Sequence, residues 1–399
     1  MIVAAVAAEY NPFHSGHAYH IAQTRAAGAT HIAAIMSGNF TQRGTAAVVE
    51  KRVRAAAAIA GGADLVAELP LPYAMASAQR FAEGAAAVAA GMGCVDLLSF
   101  GSESGYLSIL QAAADAVDSP AVRERMGTHL STGMTFARAR QLAVSELCGD
   151  EVAGVLSSPN DTLAVEYIRA LCAAKSKIVP FAVRRVGAAH DSGAPAGETA
   201  SASHLRALIR ADRSGELAGY MPAASFAALE RAFTEGLAPF DDKKLEPVIL
   251  GVLRRLTQEE ISRLPDLSEG LENRIYAAIR QAVTLDEVYA LAKSKRYPAA
   301  RIRRAVTAAF LGLYRPFADS PVPYVRILGF NAKGREILAR MKETALLPVS
   351  DSLAYLRKLG GDAEMFAQEE ARSTDLYLMG LPSLLPCGYD YTAPGVRLL

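Results

Sequence analysis

The sequence predicts an α/β fold, with an N-terminal Rossmann-like parallel sheet followed by a largely helical C-terminal part. Three observations carry this. Short apolar runs alternate with helix-compatible stretches as far as about residue 211. Beyond it the pattern turns helical. The first apolar run ends in a turn where two histidines flank a glycine, a strand-to-helix junction of the kind that holds phosphate.

Taken in order, Ile2–Ala8, His31–Met36, Ala63–Glu68, Val95–Gly101 and Ile178–Arg184 read as strands, being short, apolar and bounded by turn residues. Ala18–Ala27, Val48–Ala60, Ala78–Ala90 and several segments from Leu107 to Leu147 read as helices, many of them rich in alanine. Strands separated by helices form parallel sheets covered on both faces, and such sheets bind ligands beyond the carboxyl ends of their strands. The candidate ligand loops are therefore Glu9–His17, Ser37–Gly44, Leu69–Tyr73 and Gly101–Glu103. Leu245–Leu256, Leu271–Val283 and Leu285–Leu291 read as helices, Val325–Gly329 as a strand and Gly334–Met341 as a helix. A boundary near residue 215 divides the chain into 1–215, the nucleotide-type domain, and 216–399, a mainly helical region with a mixed end.

The charges nearly cancel, at +1, so any nucleic-acid contact must come from a local patch. Cys94, Cys148, Cys172 and Cys387 lie far apart without zinc spacing, as expected of free thiols in a reducing compartment. The N-terminus lacks a basic leader region, and no stretch approaches the ~20 apolar residues of a membrane span, so a cytoplasmic protein with no membrane partner is expected.

Three constellations carry chemistry. In His14-Ser15-Gly16-His17 the helix start offers backbone N–H groups and the positive end of its dipole. Gly16 permits close approach, and the imidazoles can donate to phosphate oxygens. The bland reading is an exposed polar turn. A metal site of His14, His17 and His20 is disfavoured, because steps of three rotate the rings apart and no carboxylate or thiol lies close. The strand before and helix after favour a triphosphate clamp. The second constellation, Met36 to Gly44 followed by Glu50-Lys51-Arg52-Val53-Arg54, brings small residues, an amide and a guanidinium to the ligand edge; Lys51 and Arg54 equally suit a solvated helix face. The third, Glu198 to Arg206, puts a serine-capped helix start after the last strand, with Ser203 and Arg206 on one face.

The wider pattern resembles a known family. Glu-Tyr-Asn-Pro-Phe-His-Ser-Gly-His (9–17), Met-Ser-Gly-Asn-Phe-Thr-Gln-Arg-Gly (36–44), Glu-Leu-Pro (68–70), Phe-Gly-Ser-Glu (100–103) and Ser-Pro-Asn (158–160) resemble the bacterial tRNA(Met) cytidine acetate ligases, of the HxGH nucleotidylyltransferase superfamily. Arg-Arg-Val-Gly (184–187), Glu-Gly-Leu-Glu-Asn-Arg (269–274) and Lys-Ser-Lys-Arg-Tyr (293–297) continue the match in the family's order. Departures are Thr45-Ala46 in place of Glu-Pro, Glu50 in place of Asp, and Ser-Ala-Ser-His-Leu-Arg (201–206) in place of the superfamily's usual Ser-Ser-Thr-x-Ile-Arg.

The resemblance implies a nucleotidylyltransferase-type sheet and ATP-dependent acetylation of N4 of the wobble cytidine of elongator tRNA(Met). Acetate and ATP would give acetyladenylate and pyrophosphate. It implies ATP contacts at Ala7, Ala8, Glu9, Tyr10, Asn11, Pro12, Phe13, His14, Ser15, Gly16, His17, Ala18, Tyr19, His20, Gly101, Asn160 and Arg185, with His14 and His17 catalytic and Arg184 indistinguishable from Arg185. Ser37, Asn39, Gln42, Arg43, Lys51, Ser203 and Arg206 are candidate phosphate or acetate contacts, and Mg²⁺ is expected to accompany ATP. For tRNA, the basic run offers Lys293, Lys295, Arg296, Arg301, Arg303 and Arg304, with Tyr297 available to stack on a base. Two alternatives remain at this point: a nucleotidylyltransferase of a small phosphorylated metabolite, and an RNA-binding protein with a vestigial nucleotide site.

Overall fold

The structure, a computed structural model, describes residues 1–185 and 200–398. Val186 and Gly187 of the arginine motif, and Glu198 and Thr199 of the serine-rich motif, lie outside the described residues.

Five parallel strands form where the sequence places them: β1 (Val3–Ala8), β2 (His31–Ser37), β3 (Leu65–Leu69), β4 (Leu97–Ser102) and β5 (Val179–Arg184). Alternate side chains serve two cores. Val3, Ala5, Ala33, Ile35, Leu65 and Ala67 enter one apolar cluster, while Ala4, Val6, Ile32, Ala34, Met36 and Val66 enter another on the opposite face. Helices α1 (Ser15–Ala26) and α2 (Lys51–Ala60) contribute Ile21, Ala55, Ala58 and Ile59 to the second cluster. Helices Ala78–Gly91 and Pro159–Ala173 cover the first. Alanine predominates on these faces, which lets helices lie close to the strands.

The strand order is β5-β4-β1-β2-β3 and continues through β6 (Val325–Asn331) to β7 (Val349–Ser350), with β8 (Val396–Leu398) also on β6. The order reverses between β1 and β4, which are joined in parallel register from Ala4↔Leu97 to Val6↔Ser99. A crevice outside their carboxyl ends is the expected ligand position.

Helices Ala223–Thr234, Asp242–Arg255, Leu271–Gln281, Leu285–Ala292 and Ala299–Leu311 make up the helical part. The expected division at residue 215 needs correction. β6 returns to the N-terminal sheet and pairs antiparallel with β3, Leu65 against Phe330 and Ala67 against Ile327, so the last quarter of the chain completes the first domain. No helix among the described residues is long and apolar enough to cross a membrane.

Candidate functional site

The turn after β1 is built by its own side chains. Tyr10 takes a positive φ of 47° and turns its ring inward, where it meets Phe13 at 4.9 Å and His17 at 4.8 Å between ring centroids. Asn11 is buried, with its Oδ1 accepting from the Val48 N–H at 2.8 Å, and Pro12 follows through a cis peptide. His14 then caps α1. Its Nδ1 accepts from the Gly16 N–H at 3.1 Å, while the Nδ1 of His17 accepts from the His14 N–H at 3.2 Å. This is a reciprocal capping box made of two imidazoles in place of the usual serine and glutamate. The rings stack with centroids 3.7 Å apart.

Two consequences follow. With each Nδ1 an acceptor, the proton of each neutral ring sits on Nε2, giving two parallel N–H donors. The expectation that bare helix amides meet the phosphates is also corrected for Gly16, His17 and Ala18. The Gly16 N–H is bound by His14 Nδ1, and the His17 and Ala18 N–H groups both bond His14 O. Gly16 has a sharper role as well: a Cβ there would stand 2.9 Å from His14 Cε1, so only glycine lets the ring fold over the helix start.

Positive charge surrounds the pair. Loss of hydration, then Arg185 and Arg206, push His14 down to about 3. Loss of hydration, then His14, Arg185 and His20, hold His17 well below the usual histidine range. Both rings are neutral donors at physiological pH. His20 is pushed down to about 4 by the same desolvation and by Arg185, but its Nε2 is engaged by Ser99 Oγ at 2.9 Å, which in turn meets Thr24 Oγ1. Within the segment 7–20, then, His14, Ser15, Gly16 and His17 form the junction. Tyr10, Asn11 and Phe13 anchor it from below, Ala18 packs on the core, and Tyr19 is exposed.

The far wall of the crevice is the end of β4. A Cβ at Gly101 would meet Arg185 Cγ at 3.4 Å, so Arg185 lies over this glycine, while Arg184 turns away to pack against Gly105. The two arginines are thus separated by position, and Arg185 is the one whose charge reaches His14, His17 and His20. Asn160 sits at the start of the helix Pro159–Ala173, donating its Nδ2 to Glu103 Oε1 at 2.5 Å; Glu103 Oε2 accepts from the Asp161 N–H at 2.9 Å. Arg206 comes in from the serine-capped helix Ala202–Arg210, bonding Asn11 O and Ser203 Oγ, each at 2.9 Å. The first and third constellations therefore meet in one place.

The second does not join them as expected. Lys51 is fully buried, its Nζ bonded to Glu68 Oε1 and Asp390 Oδ2 at 2.7 Å each. Arg326 pairs with the same two carboxylates at 2.8 Å, and Arg52 reaches Asp390 at 2.7 Å. Lys51 is committed to a buried ion cluster and withdrawn from phosphate or acetate. Asn39 is likewise structural: its Oδ1 accepts from the Lys51 N–H at 2.9 Å and its Nδ2 donates to Thr374. Ser37 is sealed inside. Gln42, whose N–H donates to Glu9 Oε1 at 2.9 Å, and the exposed Arg43 are not sealed inside. Arg54, read as equally suited to a solvated face, is buried and spans the turn from beneath. Its Nε donates to Val49 O at 2.9 Å and its Nη1 to Glu9 O and Ser37 O at 2.6 and 3.2 Å, while Nη2 donates to Gly38 O.

The basic run also divides. Tyr297 is buried, its hydroxyl donating to Glu269 O, which corrects its expected role as a stacking platform. Arg301 lies over the Tyr297 ring and bonds Asp266 O and Ser268 Oγ. Arg304 pairs with Asp266, and Arg303 lies over Tyr289. Lys293, Lys295 and Arg296 are exposed. The run abuts the site: Gly44, at φ +72°, lies so close to the helix Ala299–Leu311 that a Cβ would stand 2.3 Å from Arg304 N, and Thr307 Oγ1 donates to Gly44 O at 2.8 Å.

The family model of the HIGH nucleotidyl transferases matches residues 1–386. A protein of Caldanaerobacter subterraneus subsp. tengcongensis, named tRNA(Met) cytidine acetate ligase, is 36% identical over 398 residues, covering 98% of each chain. The chain belongs to the tRNA(Met) cytidine acetate ligase family. Its relative from Acetivibrio thermocellus is 34% identical over 98% of this chain and 99% of that one. Two crystal structures of Thermotoga maritima TmcAL match over 100% of both chains at 32% identity, with TM-scores of 0.92 for the form bound with alpha-thio ATP and 0.95 for the apo form. The family resemblance and the nucleotidyltransferase-type α/β fold read from the motifs are thereby confirmed.

Sequence reasoning missed Arg326 and Asp390, placed Glu103 in a ligand loop without a role, and gave Arg54 no role in building the site. A signal existed for Arg54: it shares a face with Lys51, one turn apart on a helix otherwise made of alanine, valine and isoleucine apart from Arg52, a setting unlike a solvated surface. Asp390 and Arg326 carry no local signal, because the residues they join, each other, Glu68 and Lys51, lie from 64 to 339 positions apart.

Proposed function

We propose that this protein uses ATP to join acetate to N4 of the wobble cytidine of elongator tRNA(Met). The observation that carries it is the stacked His14–His17 pair at the β1/β4 crevice, its two Nε2–H donors flanked by Arg185 and Arg206. Full-length similarity to ligases of that name, and to a TmcAL that binds alpha-thio ATP, supports the reading.

In the first step an acetate oxygen attacks the α-phosphorus of ATP, the bond to the β-phosphate oxygen breaks, and pyrophosphate departs. No covalent enzyme intermediate is needed; the requirement is to hold two anions together and offset charge growing on phosphorus and leaving group. Neutral imidazole N–H groups suit this, since they donate without first acquiring a proton. Arg185 and Arg206 supply the positive field, and Ser203, Gln42 and Arg43 are the remaining candidates around acetate. In the second step cytidine N4 attacks the acetyl carbonyl carbon, AMP leaves, and the nitrogen loses a proton. Lys293, Lys295 and Arg296 would hold the tRNA backbone, on a segment packed against the loop that borders the crevice.

Among the described residues no three His, Cys, Asp or Glu side chains converge into a metal cage. Mg²⁺, which keeps water and phosphate oxygens as ligands, fits as a companion of the triphosphate. A tRNA substrate supports a cytoplasmic setting for the reaction.

The test combines the protein with ATP, acetate and unmodified tRNA(Met) and looks for N4-acetylcytidine by mass spectrometry of the digested tRNA. No acetylcytidine, with ATP consumed only on adding a phosphorylated metabolite, would sink the reading. His17→Ala should abolish acetate-dependent ATP–pyrophosphate exchange while tRNA binding persists; exchange near the wild-type rate would refute the clamp.

A further inference from the structure

Arg54 and Lys51 stand one turn apart on the same buried face of α2, yet their charges are treated differently. Lys51 faces two carboxylates, Glu68 and Asp390. Arg54, 1% exposed, makes all four of its hydrogen bonds to main-chain carbonyls: Val49, Glu9, Ser37 and Gly38. Burying a guanidinium without an ion partner is costly, and four carbonyl dipoles offset only part of that cost. Three of the four belong to the residues just beyond β1 and at the end of β2, the two strands whose outgoing loops shape the crevice. A planar fork is the one side chain that reaches carbonyls on two adjacent strands and on its own helix approach at once.

We propose that Arg54 is a positioning residue for the nucleotide. It clasps the exits of β1 and β2 through Glu9 O, Ser37 O and Gly38 O, fixing the chain direction from which Tyr10 to His17 turn. It does not touch the nucleotide; it acts through the turn that carries His14 and His17. This rests on the reading of the crevice as an ATP site. Burial draws the guanidinium below its ordinary range, with Glu50, Glu9 and Glu68 among the groups that pull it back, as expected of a cation without a contacting carboxylate.

The test is Arg54→Lys, which keeps the charge and loses the fork. ATP binding by calorimetry should weaken about tenfold, and the kcat of acetate-dependent pyrophosphate exchange should fall by a similar factor, the scale of a lost charge-assisted hydrogen bond. The KM for acetate should stay within about twofold of wild type. A merely structural arginine would lower the melting temperature and the active fraction but leave the Kd and KM of the surviving molecules unchanged. ATP affinity and kcat within twofold of wild type would overturn the proposal. If Arg54→Lys does not fold, Arg54→Gln, which has no charge to desolvate, is measured instead against the same two outcomes. Absence of acetate-dependent exchange in the wild-type protein would defeat the proposed reaction, while the calorimetric ATP affinity would still decide the role of Arg54.

Discussion

At the scale of single residues, a histidine pair that caps its own helix is locked in one tautomer, and that lock has a pH signature. His14 and His20 are pushed down to about 3 and 4 in the folded protein, against 6.5 in the unfolded chain. The unfolded state therefore takes up protons that the native state refuses. The contribution of these two rings is at its full value above pH 6.5 and is lost as pH falls from there towards 4 for His20 and 3 for His14, by up to about 2 kcal/mol per ring at pH 5. Thermal melts between pH 7.5 and 5 should show this slope, and His14→Asn, which keeps a capping side chain but does not titrate, should make it shallower; an unchanged slope would contradict the assignment. The importance of His14, Gly16 and His17 was legible in the sequence because strand, glycine and helix are all local. That an imidazole would take the Gly16 amide as the helix cap was not, since capping preferences favour serine, threonine and aspartate in that role.

At the scale of elements, α2 is the unexpected one. Its Lys51 faces inward because Glu68 on β3 and Asp390 near the C-terminus bring counter-charges, and a sequence window around Lys51 holds neither. Glu370 lies beside this cluster, its Oε1 accepting from the Leu71 N–H at 2.6 Å. Desolvation and then Glu68 push it up to about 8, against 4.5 when exposed. The sign is opposite to that of the histidines: the protonated native form contributes stability below pH 4.5, and this is lost as pH rises through 8. Glu370→Gln should flatten the fall in stability between pH 4.5 and 8 measured by urea unfolding, and a fall as steep as wild type would show another group responsible. The five parallel strands, by contrast, were readable to within about two residues. Their alternation feeds two cores, and short apolar runs between turns leave little else for them to be.

At the scale of the whole molecule, the chain is less divisible than its composition suggests. A cut at residue 215 would strip β6 from β3 and leave Lys51 with Glu68 but without Asp390. Residues 1–215 produced alone should not give a cooperatively folding unit; a sharp thermal transition by circular dichroism would prove otherwise. The exposed end of the basic run belongs to this scale too. Converting Lys293, Lys295 and Arg296 together to glutamine should weaken tRNA binding and reduce the slope of log affinity against log salt by about 2–3, at roughly 0.7–0.9 per phosphate contact. Arg301, Arg303 and Arg304 are held by Asp266, Ser268 and aromatic rings, so their removal should cost stability as well.

The pairing of Lys51 with Asp390 also sets a schedule for biosynthesis. The two residues are 339 positions apart. At about 5–20 residues added per second, a ribosome needs roughly 17–70 s to supply the second after the first. Through that interval the nascent sheet has an open β3 edge and an under-neutralised cation on the helix that supports the turn. A polypeptide still being translated should therefore bind ATP poorly even though its histidines emerged first.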